Sequence, residues 1–159
     1  MDGETNAFLE EVFLWLSENL PLSPNPKKLC WGDSRIGNVL FEDFQVKSLL
    51  DWEMATIGDP LCDLAWGLTT DDVSSYGLNI EKLPGSIANE EAIKFWEKNT
   101  GYSAENFFYY RILCLFKFSV IMIRVAKKLI HNEIMPLDSD FHVNNHVSNY
   151  LRQEFNEKN

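Results

Sequence analysis

The chain has 159 residues and a formal net charge of −10, with 24 acidic side chains against 14 basic ones. Such an acidic chain lacks the positive surface with which proteins bind phosphate backbones, which excludes DNA and RNA as partners. Apolar residues make up 45% of the chain, which excludes intrinsic disorder, and the length predicts a single domain over residues 1–159.

The first predicted element is an amphipathic helix over residues 5–20. Its apolar face repeats at helical spacing and consists of Phe8, Leu9, Val12, Phe13, Leu16 and Leu20. Three prolines between residues 21 and 26 then predict an extended connector, because proline restricts its own backbone and that of the residue before it.

Residues 30–66 contain most of the side chains that could carry chemistry. They begin C-W-G-D-S-R-I-G-N-V-L-F and end L-L-D-W-E-M-A-T-I-G-D-P-L-C-D-L-A-W. Phosphoryl transfer needs a carboxylate that accepts or orients the proton of the attacking hydroxyl, and oxygen ligands that hold magnesium. Asp33, Asn38 and Asp51 could supply that set.

Two strand-like runs, residues 39–41 and 46–50, flank a turn at residues 42–43 and predict a β-hairpin. Such a hairpin would hold Asn38 and Asp51 near each other, because they lie at its two ends. Both side chains could then reach one metal ion.

A helix is predicted to begin at Pro60, because proline fits the first helical turn and Asp59 can serve as the N-cap. The predicted buried side of this helix consists of Leu61, Leu64, Ala65 and Leu68. The polar composition of residues 69–84 predicts a loop, with Asp71 and Asp72 in solvent.

Three further helices are predicted, over residues 89–99, 103–130 and 140–157, and Gly101 ends the first of them. The second is very apolar, which raises the possibility of a membrane span. Its charged residues leave no uncharged run of the length that a membrane helix needs, so a buried core helix is expected. These charged residues are Arg111, Lys117 and Arg124.

The amino terminus, M-D-G-E-T-N, lacks the charged-then-apolar pattern of a signal peptide. Three cysteines, an odd number without metal-type spacing, indicate buried thiols in a reducing compartment. We therefore expect a cytoplasmic protein that is not embedded in a membrane.

Protein kinases carry Asp-x-x-x-x-Asn in their catalytic loop and a magnesium-binding Asp further along the chain, in the same order as here. Together with the Trp-Gly-Asp opening and the Gly-Asp-Pro-x-x-Asp-Leu-Ala continuation, residues 31–66 resemble the aminoglycoside phosphotransferase family of small-molecule kinases. The resemblance implies an α+β, mostly helical fold. It would be the C-lobe of a protein-kinase-like fold, with a small β-hairpin carrying the catalytic and metal loops.

The resemblance also implies roles for individual residues. Asp33 would be the catalytic base, Asn38 and Asp51 would bind the magnesium ion and its nucleotide, and Asp63 would brace the catalytic loop. Trp31 stands where the family usually has a histidine with a packing and hydrogen-bonding role. The implied cofactors are Mg²⁺ and ATP, and the implied acceptor is a hydroxyl group of a small molecule.

A kinase-like enzyme also needs an amino-terminal lobe with a phosphate-covering loop and a strand lysine. Neither is visible, because the eight glycines include no Gly-x-Gly and only 32 residues precede Asp33. We therefore expect the nucleotide-binding lobe to be absent and the isolated chain to be inactive. The chain would be a fragment, a truncated product that needs a partner lobe, or a catalytically silent kinase-like binding module.

A metal-dependent hydrolase that uses the same carboxylates is the less favoured alternative. Such enzymes usually have dense histidine and carboxylate clusters around two metals about 4 Å apart. This sequence has no such cluster.

Overall fold

The computed structural model describes residues 6–157. In that range, residues 21–111 form one compact unit, and residues 6–20 with residues 112–157 form the other. The described part is mostly helical with two small antiparallel sheets, in agreement with the predicted fold class. The single-domain assignment stays a prediction. The elements in chain order are α1 Ala7–Glu18, β1 Lys28–Cys30, β2 Val39–Glu42, β3 Gln45–Leu49, β4 Thr56–Gly58, α2 Leu61–Ser75, α3 Asn89–Thr100, α4 Phe107–His131 and α5 His146–Asn156.

The predicted hairpin is formed by β2 and β3, which pair antiparallel from Val39 opposite Leu49. Its turn lies at Asp43 and Phe44, with φ of 49° and 60°, one residue later than predicted. Positive φ at both central residues is typical of the type I′ turn, whose twist matches that of the strands. Glu42 lies outside this turn, because it is paired within the hairpin.

A second two-stranded sheet, formed by β1 and β4, was not predicted. The two strands pair antiparallel with Lys28 opposite Gly58 and Cys30 opposite Thr56. Strands of three residues are too short to show an alternating pattern. This sheet joins the two ends of the segment that contains the candidate site.

Helix α2 begins at Leu61, one residue after its predicted start at Pro60, and Pro60 occupies the N-cap position predicted for Asp59. The Asp59 carboxylate still accepts a hydrogen bond from the backbone N–H of Leu61 at 2.9 Å. The helix continues to Ser75, so the prediction of a loop from residue 69 was wrong. The cause is burial, since Thr69 and Val73 are at most 1% exposed in spite of the polar composition around them.

Asp72 on α2 is buried at 1% exposure, so its predicted place in solvent was wrong. Its carboxylate contacts Arg111 Nη1 at 2.7 Å and Lys82 Nζ at 2.6 Å, and the side-chain amide of Asn89 donates to it at 2.7 Å. Burial by itself raises the pKa of Asp72. The hydrogen bonds and charges of Lys82 and Arg111 outweigh that effect and hold the pKa below its ordinary value.

Helices α3 and α4 lie close to their predicted positions. Gly101, with φ of 73°, ends α3 in the left-handed conformation that glycine adopts without strain. In α4, Ile112 and Leu115 are fully buried, as a core helix requires. None of the helices in the described range is both long and apolar enough to cross a membrane.

The unit of residues 6–20 and 112–157 is held together by apolar and aromatic contacts. Val12 of α1 is fully buried, and the rings of Phe8 and Trp15 pack edge-on against Phe155 of α5, with centroids 6.0 and 5.8 Å away. Phe13 was predicted on the buried face but is 56% exposed. The predicted helix start at residue 5 lies outside the described residues.

Helix α5 begins at His146 and not at residue 140. The Asn145 side chain accepts hydrogen bonds from the backbone N–H groups of Val147 and Ser148, at 3.1 and 3.0 Å. An N-cap that serves two first-turn donors defines the helix start, and the polar residues before it form turns.

We expect Asp72→Asn to lower the free energy of unfolding by about 3–5 kcal/mol at neutral pH, because the buried Arg111 charge loses its carboxylate. The folded-state pKa of Asp72 is lowered, so its contribution is present at neutral pH and is lost as the pH falls through that pKa. The difference between the two proteins should therefore shrink below about pH 4. Urea denaturation followed by tryptophan fluorescence at several pH values measures it.

Asp71→Asn is the matched control, because the Asp71 side chain is 57% exposed and also contacts Lys82. It should change the free energy of unfolding by less than about 1 kcal/mol. Equal effects of the two substitutions would contradict a structural role for the buried ion pairs of Asp72.

Candidate active site

The loop of residues 31–38 is fixed by Asp63, which lies in the first turn of α2. The Asp63 carboxylate accepts hydrogen bonds from the backbone N–H groups of Trp31 and Gly32, at 2.7 and 2.8 Å. The Ser34 hydroxyl donates to the backbone carbonyl of Asp63 at 2.6 Å. The prediction that Asp63 braces this loop is confirmed.

Gly32 is required by this arrangement. Its φ is +89°, and a Cβ atom at this position would lie 2.2 Å from the backbone oxygen of Met54. Real Cβ atoms do not approach a backbone oxygen so closely. The loop of residues 31–38 can therefore lie against the segment after Asp51 only because residue 32 has no side chain.

Both oxygens of the Asp33 carboxylate accept hydrogen bonds. Oδ1 accepts from the indole Nε1 of Trp66 at 2.7 Å, and Oδ2 accepts from the side-chain amide of Asn38 at 2.7 Å. Arg35 Nε also contacts Oδ2 at 3.1 Å, from a side chain that is 50% exposed. Asp33 itself is 14% exposed, so its carboxylate is oriented but accessible.

Asn38 is a predicted site residue that the structure brings into contact with Asp33. It is 6% exposed, and its amide nitrogen donates to both the backbone carbonyl and the carboxylate of Asp33, at 3.1 and 2.7 Å. These two bonds fix the orientation of the planar amide. The side-chain oxygen of Asn38, Oδ1, is then the amide atom that could bind a cation.

Asp51 follows β3 as an exposed residue with φ of 60°. The residue before it is held on both sides, because the N–H of Leu50 donates to the backbone oxygen of Asn38 at 2.8 Å and the indole Nε1 of Trp31 donates to the Leu50 oxygen at 2.7 Å. Asp51 therefore directly follows the residue whose N–H is hydrogen-bonded to the Asn38 backbone. Among the described residues, no hydrogen bond joins its carboxylate to Asp33 or Asn38.

Trp66 was not among the predicted site residues. It is 4% exposed and lies three positions after Asp63 on α2, which places both on one face of the helix. The spacing was readable from the sequence, since a helix that presents Asp63 to the loop must also present the residue at i+3. An aromatic residue at such a position is more often explained by core packing.

Asp59, a buried carboxylate just before α2, joins the start of that helix to the connector of residues 23–25. It accepts hydrogen bonds from the Ser23 hydroxyl and from the side-chain amide of Asn25, the latter at 3.0 Å. The same amide donates to the backbone oxygen of Ser103 at 2.9 Å, and the Ser103 N–H returns a bond to Asn25 at 2.8 Å. Burial and then the nearby Asp59 carboxylate raise the pKa of Tyr110 above its ordinary value.

The fold is of the kinase-like class found in aminoglycoside phosphotransferases. A solved structure from Ralstonia eutropha JMP134, described as a candidate aminoglycoside phosphotransferase, superposes with a TM-score of 0.67 at 17% sequence identity. The alignment covers 96% of this chain and 47% of that one. The chain belongs to the phosphotransferase enzyme family (APH), whose family model matches residues 2–96.

Curated relatives of this chain are much longer proteins. The chain is 32% identical over 124 residues to acyl-CoA dehydrogenase family member 11 of Pongo abelii, a match that covers 71% of this chain and 16% of the relative. The Gallus gallus protein of the same name is 33% identical over 138 residues, covering 78% of this chain and 18% of the relative. The chain therefore spans less than a fifth of either relative.

We expect Asp63→Asn to loosen the loop of residues 31–38, because an amide nitrogen would then face one of the two backbone N–H donors. An unpaired backbone donor should lower the free energy of unfolding by about 1–3 kcal/mol. Amide hydrogen exchange should become faster at Trp31 and Gly32 than elsewhere in the chain. Asp43→Asn, in the exposed hairpin turn, is the control, and unchanged exchange at Trp31 and Gly32 in Asp63→Asn would refute the bracing role.

Proposed function

We propose that this chain carries the base and metal-ligand half of an ATP-dependent phosphotransferase that acts on a hydroxyl group of a small molecule. The observation that carries the proposal is the Asp33 carboxylate, held on both oxygens beside Asn38 in a loop braced by Asp63. Membership of the phosphotransferase enzyme family supports it.

In the proposed reaction, Asp33 accepts the proton of the acceptor hydroxyl. The hydroxyl oxygen forms a bond to the γ-phosphorus of ATP, the bond from that phosphorus to the β–γ bridging oxygen breaks, and ADP leaves. A carboxylate has about four lone-pair sites. Oδ2 already accepts from Asn38 and Arg35, whereas Oδ1 accepts, among residues 6–157, from Trp66 alone, so Oδ1 has a site left for the incoming proton.

Asn38 and Asp51 are the proposed magnesium ligands. Amide and carboxylate oxygens suit a hard cation, which usually keeps several waters and needs only one or two protein carboxylates. The Asn38 amide fits this role because its nitrogen is bound to Asp33. Asp51 fits because it is exposed and directly follows Leu50, whose N–H donates to the Asn38 backbone. Bound magnesium would offset the negative charge of the phosphates.

We propose that a second lobe supplies the phosphate-covering loop and the strand lysine. The exposed apolar side chains of the hairpin support this part of the proposal, since Phe41 and Val46 are 50% and 59% exposed and Phe44 is completely exposed. The dehydrogenase chemistry in the names of the longer relatives is not extended to this chain, because the family match is to phosphotransferases.

We expect the 159-residue chain to turn over little or no ATP, while a form that also carries a nucleotide-binding lobe phosphorylates a small hydroxylated molecule. In that longer form, Asp33→Asn should lower kcat by about 10² to 10⁴-fold, the usual contribution of a general base. Product formation across a panel of sugars, amino sugars and amino alcohols, followed by ³¹P NMR, measures both.

Asp71→Asn in the same longer form controls for the loss of an acidic side chain away from the site, because the Asp71 side chain is 57% exposed on α2. Robust turnover by the 159-residue chain would refute the need for a second lobe. An Asp33→Asn enzyme with undiminished kcat would refute Asp33 as the base, and the silent binding module would then be the better description.

We expect Mn²⁺, used in place of Mg²⁺ in the presence of ATP, to broaden the amide NMR signals around Asn38 and Asp51 first. The paramagnetic effect falls steeply with distance, so the broadened residues locate the ion. Asp51→Asn should weaken the broadening, because a neutral oxygen replaces an ionised ligand. Broadening centred elsewhere would contradict the proposed ligands.

A further inference from the structure

We propose that Trp66 is the positioning residue for Asp33. Its indole N–H, 2.7 Å from Asp33 Oδ1, occupies one lone pair of that oxygen and so directs the other toward the acceptor hydroxyl. The inference rests on the proposed role of Asp33 as the base. Trp66 would then take part in the reaction by orienting Asp33, a role that its packing alone does not require.

The chemistry of the indole suits this task. Nε1–H is only a donor, so it can orient a carboxylate but cannot take the proton that the carboxylate must receive. The ring is 4% exposed, whereas the Arg35 side chain that contacts the other carboxylate oxygen is 50% exposed. Of these two donors, Trp66 therefore has the better-fixed direction.

Helix α2 holds the loop at two levels. Asp63 accepts hydrogen bonds from the consecutive backbone N–H groups of Trp31 and Gly32, and Trp66, one turn later, binds the side chain of Asp33. Because both residues project from one face of α2, the same helix fixes the position of the loop backbone and of the Asp33 carboxylate. Loss of the indole N–H would leave the backbone braced and free only Oδ1 of the carboxylate, because Asn38 still donates to Oδ2.

Trp66→Phe tests this inference, because it keeps an aromatic ring and removes the N–H. The first measurement uses the 159-residue chain, which has five tryptophans and so five indole ¹H–¹⁵N signals. The signal missing in Trp66→Phe identifies Trp66. In Asp33→Asn that signal should move upfield, because an amide oxygen is a weaker acceptor than a carboxylate. A Trp66 signal unmoved by Asp33→Asn would overturn the inference.

The second measurement is kinetic and uses the longer form with its nucleotide-binding lobe. Trp66→Phe should lower kcat about 10-fold, which corresponds to one hydrogen bond of ~1.4 kcal/mol, with KM for ATP and acceptor unchanged. Trp96→Phe is the matched control, since Trp96 lies on α3 and packs against Tyr102 with ring centroids 5.8 Å apart.

The outcomes separate the inference from the proposed function. If Asp33→Asn lowers kcat but Trp66→Phe does not, or raises KM without changing kcat, only the role of Trp66 is refuted. If Asp33→Asn leaves kcat unchanged, the proposed base is refuted and the positioning role falls with it. A fall in kcat for Trp66→Phe equal to that for Trp96→Phe would indicate a packing effect and refute the role of Trp66.

Discussion

The hydrogen bonds from two consecutive backbone N–H groups to the Asp63 carboxylate are the interaction on which the candidate site depends. They attach the loop of residues 31–38 to the first turn of α2, and every other contact of the site follows from that attachment. Asp33 reaches Trp66 on the same helix, Asn38 reaches Asp33, and Leu50 reaches the backbone of Asn38. A single carboxylate thus attaches to α2 the loop that contains two of the candidate site residues, Asp33 and Asn38.

Much of this site was readable from the sequence because its parts are close along the chain. Asp33 and Asn38 are five residues apart, and the hairpin that connects Asn38 to Asp51 is a local structure with a recognisable pattern. The burial of Asp72 was not readable, because it depends on Arg111, a partner 39 residues away. Two adjacent aspartates are typical of a solvent-exposed segment, and the sequence does not show that a distant basic residue contacts one of them.

The family relationship concerns the fold, whereas the hydrogen bonds of the site concern individual side chains. At 17% identity, the likeness to a solved phosphotransferase concerns the path of the backbone. Trp31, which stands where the resemblance implies a histidine, donates from its indole to the backbone oxygen of Leu50, the residue before Asp51. Trp31 also packs against Trp52, with ring centroids 5.9 Å apart.

The reciprocal hydrogen bonds between Asn25 and Ser103 have a consequence for the order of folding. They join positions 78 residues apart, so they can form only after the intervening chain has been drawn together. The entropy of closing so long a loop is lost before these bonds contribute any energy. The hydrogen bonds between Asn25 and Ser103 should therefore form late in folding. Local unfolding around either residue should break them before the hairpin or α2 unfolds.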